Sequence, residues 1–258
     1  MTDSLFPDPH IPPTVAPVDR ERLPNIHRLL LEHYGQPEPR IPWTPLKQFV
    51  YSLLSARTKT PVSHQAMRDL EDRFGIGLSG ADWEAVRDAP LADIEQTIRI
   101  VTFPEAKAPH LKLALQQITA RYGSLTLDFL ANYRTEKIRA WLETFEGVGP
   151  NVSAAVVNFS TLRRRALVLD SHHLRIVHRL GVTPRADARR TEELLTRMVP
   201  ETWSPEMLDE HHSLHKLHGQ TLCTFADPHC PQCPLVRLCR HGQRVVSEPP
   251  AKAEFPIN

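Results

Sequence analysis

The sequence predicts an all-α fold, and three observations carry the prediction. Apolar residues recur at helical spacing along most of the chain, and no convincing stretch alternates with the period of a strand. Gly and Pro punctuate these segments where helices stop and start. No internal repeat interrupts this pattern, and the only four cysteines, Cys223, Cys230, Cys233 and Cys239, lie together within 17 residues after the last periodic segment.

Residues 1–18 hold five prolines and little periodicity and read as a disordered arm. A first helix is expected from Pro24 to His33, with Gly35 as its stop, and Pro37 to Pro42 as a linker. Thr44-Pro45 is an N-cap followed by a proline at the first helical position, where its missing N–H costs nothing. Leu46, Phe49, Val50, Leu53 and Leu54 then form a buried helix ending in Ser55-Ala56-Arg57-Thr58-Lys59. Thr60-Pro61 opens the next helix, with Val62, Ala66, Leu70 and Phe74 on one face. Further helices are expected over Trp83–Val86, Leu91–Ile100 and Glu105–Tyr122, the last closed by Gly123. Thr135 reads as the cap of a helix carrying Ile138, Trp141, Leu142 and Phe145. A new helix starts at Pro150 after Gly147-Val148-Gly149. Ala166 to Asp170 is an extended connector, Asp170-Ser171 caps a helix to Arg179, and Ala186–Val199 and Met207–Thr221 are the last helices. The tail from Gln243 is polar.

At 258 residues and 41% hydrophobic composition, the chain can bury a core without disulfides. No run of about 18 apolar residues is present, so no membrane span is expected and cytoplasmic residence is the default. Net charge is +1, but the distribution is uneven. Between Arg134 and Pro200 twelve Lys/Arg face seven Asp/Glu, a basic stretch suited to a polyanion and equally compatible with a solvated face.

Two features carry chemistry. The two glycines of Gly147-Val148-Gly149 permit a tight turn and close approach to a ligand, and the helix start at Pro150 offers free N–H groups to an anion. By itself this could be an ordinary helix–turn–helix corner. The second feature is the spacing Cys-x6-Cys-x2-Cys-x5-Cys. Four thiolates can hold zinc or a [4Fe–4S] cube, and the single tight pair with uneven outer gaps modestly favours the bulkier cube.

Taken together, Leu53-Leu54-Ser55-Ala56, Gly147-Val148-Gly149, Leu169-Asp170-Ser171-His172, Leu217-His218-Gly219 and the four cysteines resemble the endonuclease III family of DNA glycosylases over roughly Pro42 to Cys239. The resemblance implies two helical lobes: a six-helix barrel over 42–163 ending in a helix–hairpin–helix, and a cluster lobe from 22–38 and 164–245, with 246–258 as a flexible tail. It implies a monomer acting on lesion-containing duplex DNA near the nucleoid. Cys223, Cys230, Cys233 and Cys239 would ligate a structural [4Fe–4S] cluster. Gly147, Val148 and Gly149 would hold a phosphate, with a monovalent cation possible at the hairpin. Arg57 and Phe103 would fill the gap left by the extruded base. Arg237, together with Arg240, would compensate in DNA contact, because the first cysteine loop, Thr224 to His229, carries Asp227 where the family is basic.

Asp170 matches the carboxylate that stabilises positive charge on the sugar as the glycosidic bond breaks. An aspartate before a helix is often only a cap, and the two roles are compatible. Asn151 stands where bifunctional members carry the Lys that attacks the sugar and cuts the strand through a Schiff base. An amide cannot do this, so the resemblance implies base removal, oxidised pyrimidines by default, with strand cleavage weak or absent. An adenine-removing enzyme is disfavoured because Gln48 to Leu54 contains no Glu. A mismatch glycosylase and a damage- or abasic-site-binding protein without turnover stay open. His172 and His173 read as neutral residues held by the backbone, and His211, His212, His215 and His218 as a packed or solvent-facing helix rather than a metal site.

Overall fold

A computed structural model describes residues 20–75, 82–184 and 187–247. The arm expected over 1–18, and the tail beyond residue 247, lie outside these. The described residues form helices and no strands. In order these are α1 (Arg22–Tyr34), α2 (Pro45–Ser55), α3 (Thr60–Phe74), α4 (Trp83–Asp88), α5 (Leu91–Thr97), α6 (Pro104–Tyr122), α7 (Thr135–Leu142), α8 (Pro150–Phe159), α9 (Ser171–Leu180), α10 (Ala188–Thr196), α11 (Pro205–Thr221) and α12 (Arg240–Ser247). Short 3-10 turns cover Asp128–Asn132, Cys230–Gln232 and Val236–Leu238. No described helix is long and apolar enough to cross a membrane.

Local chemistry sets most boundaries. Thr44 Oγ1 accepts from Lys47 N–H at 3.4 Å and caps α2. Gly35 (φ 75°) and Gly123 (φ 72°) close α1 and α6 in conformations with positive φ, each N–H returning to a carbonyl four residues back. Thr135 departs from expectation. It is the first residue of α7, and Arg134 occupies the cap position without a side-chain bond. Helix α12 was not legible because its residues are polar. Cys239 starts it, its sulfur accepting from Gly242 N–H at 3.3 Å and its carbonyl from Gln243 N–H at 2.9 Å.

The chain divides into two compact units. The first comprises Pro37–Asp170 and Ser204–Ser213. Its centre is α2, whose Phe49, Val50 and Leu54 are fully buried and which packs most extensively on α8. A core from Leu46 to Val168 runs through this unit. At its edge Asp209 is 5% exposed and is held by Arg40 at 3.0 Å and Arg163 at 2.9 Å, a paired buried charge.

The described residues of the second unit fall within 20–36, 171–203 and 214–247. Leu23, Ile26 and Leu30 of α1 and Ile176, Val177 and Leu180 of α9 are buried in it. Arg22 binds the carbonyls of Leu180 (2.7 Å) and Gly181 (3.1 Å), so α1 caps the C-terminal end of α9. The ring of His173 stacks on that of His215 at 4.0 Å and 16°. Along α11, His211 and His212 in the first unit and His215 and His218 in the second are each at least nine-tenths buried, so these histidines are packed and not solvent-facing.

Candidate functional site

The turn between α7 and α8 is built to keep one position open. Gly147 has φ 79°, which an L side chain rarely adopts, and a Cβ there would meet His110 Nδ1 at 2.7 Å. Gly149 has ordinary angles, and a Cβ there would meet nothing within 4 Å. Gly147 is therefore required by the fold, whereas Gly149 leaves room beside a helix start. Val148 faces inward at 7% exposure and its N–H bonds the Phe145 carbonyl at 3.1 Å, so its side chain anchors the turn and does not reach a ligand. Behind the turn, Arg139 donates to Ser153 Oγ (3.1 Å) and to the Pro150 carbonyl (3.2 Å), while Ser153 Oγ donates to Glu143 at 2.7 Å. This network ties the end of α7 to the first turn of α8.

Asn151 is the second residue of α8 and is part-buried. Its Oδ1 is shielded and has no hydrogen-bond partner within the protein. A buried acceptor without a partner is costly unless a ligand or water supplies a donor. Asp170 ends a buried connector in the same unit. Ala166, Leu167, Val168 and Leu169 are each at most 7% exposed. The connector is tied down by Asn158 Nδ2 to the Ala166 carbonyl (3.1 Å) and by His212 Nδ1 to the Val168 carbonyl (3.0 Å). The half-buried carboxylate is thus carried on a fixed strand of backbone.

Arg57 and Phe103 sit on neighbouring loops of this unit. Both have positive φ, 56° and 58°, and both are exposed, Phe103 at 51%. Lys107, which the sequence did not assign, lies between them. Its amine donates to the carbonyls of Leu54 (2.7 Å) and Ala56 (2.7 Å) and to Thr58 Oγ1 (2.9 Å). Burial pulls its pKa down from 10.5 to about 8. All three N–H donors of the ammonium form are occupied, so this amine is not a free nucleophile.

In the other unit the four cysteines form no disulfide and line one cavity with Arg179, His218 and Gly242. Four thiols around one cavity are a donor set that either a tetrahedral zinc or a four-iron cube takes. Each of three sulfurs also meets a polar nitrogen: Arg179 Nη1 donates at 3.4 Å to Cys223 and Gly242 N at 3.3 Å to Cys239, and His218 Nε2 lies 3.5 Å from Cys233. Burial pulls His218 down to about 4, so it is neutral near pH 7. Tyr34 OH lies 3.0 Å from its Nδ1. Burial pushes the Cys233 thiol up to about 11, and the thiols of Cys230 and Cys239 upward. Thiols in this pocket become thiolates when a cation compensates the burial.

Arg175 and Arg179 of α9 hold the first cysteine loop by its carbonyls, at Cys223, Thr224 and Phe225. Gly219 is required here, since a Cβ would meet His172 Cβ at 2.6 Å. Arg237 is exposed, with its carbonyl accepting from Gln243 at 2.6 Å.

Residues 50–201 match the family model of the HhH-GPD superfamily base excision DNA repair protein. The chain is 30% identical over 157 residues to endonuclease III of Bacillus subtilis (strain 168), covering 60% of this chain and 65% of that one. It is 26% identical over 191 residues to the DNA glycosylase/AP lyase ROS1 of Arabidopsis thaliana, covering 69% of this chain and 14% of that one. Each match spans less than two thirds of the relative's length. Among solved structures, a non-covalent endonuclease III–DNA complex aligns with a TM-score of 0.72 at 19% identity, covering 91% of this chain and 100% of the other. A thermostable thymine-DNA glycosylase aligns with a TM-score of 0.64 at 16% identity, covering 88% and 98%. These likenesses show the fold.

Proposed function

The chain belongs to the HhH-GPD superfamily of base-excision DNA repair proteins, and on that premise we propose that it is a DNA N-glycosylase that releases a damaged base by hydrolysis, with little or no AP-lyase activity. The observation that carries this reading is the character of position 151. An amide with a shielded, unpartnered oxygen stands at the second residue of α8, where strand cleavage would need an amine. The amine of Lys107 is committed to three acceptors and does not substitute for it.

In this reading the hairpin at Gly147 and Gly149 and the N–H groups opening α8 bind a phosphate. Arg57 and Phe103 fill the space left in the stack. As the bond between the sugar carbon and the base nitrogen lengthens, its electron pair leaves with the base and positive charge builds on the sugar. The Asp170 carboxylate stabilises that charge and accepts a proton from the attacking water, whose oxygen bonds to the sugar carbon. Asn151 Oδ1 accepts a hydrogen bond from that water or from the substrate. The product is an intact strand with an abasic sugar.

Cys223, Cys230, Cys233 and Cys239 hold a [4Fe–4S] cluster, which supplies cross-linking of the second unit and no step of the reaction. The partner is duplex DNA, and oxidised pyrimidines are the first lesions to test. The experiment is a panel of lesion duplexes assayed separately for base release and strand cleavage. Base release with little cleavage is expected. Binding without release of any base would favour a damage-binding protein.

A further inference from the structure

The geometry points to Lys107 as a positioning residue that makes one wedge out of two loops, so that Arg57 and Phe103 enter the duplex as a unit. This inference rests on the reading of those two residues as the gap-filling pair. The loops are separate in sequence, one after α2 and one before α6. Lys107 joins them with both of its halves. Its backbone N–H donates to the Phe103 carbonyl at 3.1 Å in the first turn of α6. Its amine reaches across to Leu54, Ala56 and Thr58 in the Arg57 loop. The Leu54 and Ala56 carbonyls lie at the C-terminal end of α2, where carbonyls lack helical partners and a cation is favoured.

A second cross-link runs parallel. Thr102 N–H donates to Thr58 Oγ1 at 3.1 Å, and Thr102 Oγ1 donates to the Arg57 carbonyl at 3.0 Å. Thr58 Oγ1 therefore accepts from both Lys107 and Thr102, one from each side. Arg57 and Phe103 are two of the three non-glycine residues with positive φ among the described residues. A strained backbone persists only where its surroundings over-determine it. Here one set of hydrogen bonds holds both strained residues, so neither backbone relaxes without disturbing the other. Lys107 is 8% exposed, which keeps water from replacing these bonds.

The test follows the rate of wedge insertion by stopped-flow fluorescence. The probe is a duplex with 2-aminopurine opposite a tetrahydrofuran abasic analogue, so no turnover is needed. Arg57→Ala, Phe103→Ala and the double variant are compared in the native protein, in Thr102→Val and in Lys107→Met. In the native protein the two losses should be strongly non-additive, the double variant departing from the product of the single effects by roughly fivefold or more. In Thr102→Val and Lys107→Met, with helix content unchanged by circular dichroism, the losses should multiply. If Lys107→Met does not fold, Thr58→Val carries the comparison, since it removes the side-chain acceptor of the Lys107 amine and keeps the shape. Native single effects that simply multiply, or non-additivity that survives in the cross-link variants, overturn the coupling. Arg57→Ala and Phe103→Ala that each insert at the native rate overturn the wedge reading and the coupling with it.

Discussion

A Cβ on Gly147 would lie 2.7 Å from Nδ1 of His110, a side chain from α6 that closes the underside of the hairpin and pairs with Glu146 at 3.3 Å. Gly149, two residues on, has no atom within 4 Å of the same construction. The two glycines therefore answer to different demands. Gly147→Ala should destabilise the protein by about 1–2 kcal/mol from its left-handed backbone alone, with more from displacing His110. Gly149→Leu should leave the denaturation midpoint nearly unchanged. It should weaken binding to every duplex alike, by roughly tenfold for one lost charge-assisted bond. Urea unfolding and duplex titrations separate the two. Selective loss of one lesion in Gly149→Leu, with general affinity intact, would contradict the phosphate role.

The cysteine pocket makes a compositional prediction. Purified protein should be yellow-brown and carry about four iron and four sulfide per chain. Cys233→Ala should lose iron together with the helicity of the second unit, because α12 starts from Cys239, another of the four proposed ligands. Cluster assembly on the apoprotein should release protons, since burial holds the Cys230, Cys233 and Cys239 thiols protonated at neutral pH. Stoichiometric zinc without sulfide would refute the cluster.

Position 151 divides the mechanisms. The native protein should give little covalent complex with an abasic duplex under borohydride. Asn151→Lys should gain trapping, partially, because a productive amine needs a lowered pKa as well as position. Asp170→Asn should cut base release by a hundredfold or more, at the scale of a lost electrostatic or general-base group, roughly 3 kcal/mol. Efficient trapping by the native protein would remove Asn151 from its assigned role.

Lys107 predicts a pH dependence. Its folded pKa of about 8 lies below the ordinary 10.5, so across that window the native state has released a proton that the unfolded state still holds. Stability attributable to this residue should therefore rise with pH from about 8 to 10.5 and be flat below it. Denaturant unfolding of the native protein and of Lys107→Met, at matched pH, should show the native advantage growing across that window. A constant difference between the two would show that burial does not depress this amine.

The helices were legible in the sequence because short-range chemistry sets them. Thr44 caps α2 through a bond three residues away, Gly35 and Gly123 close helices through bonds four residues away, and Pro150 opens α8 at the position where it loses nothing. The cysteine quartet was legible for a related reason, since four cysteines on one loop show their spacing directly. The extended connector to Asp170 was also readable as a buried apolar run. What lay outside the sequence's reach depends on contacts between residues far apart in the chain. Lys107 meets Leu54 across 53 positions, and nothing near either residue announces it. His110 beneath Gly147, the inward turn of Val148, the buried histidines of α11 and the start of α12 on Cys239 are of the same kind. The hairpin motif named three residues as one feature, yet only the packed structure assigns them three tasks: a left-handed turn at 147, an anchor at 148 and an open approach at 149. Sequence pattern fixes backbone direction, because dihedral preferences and caps act within a turn. Which side chains face inward, and which amine is held by carbonyls from another loop, is decided when the helices pack and water leaves.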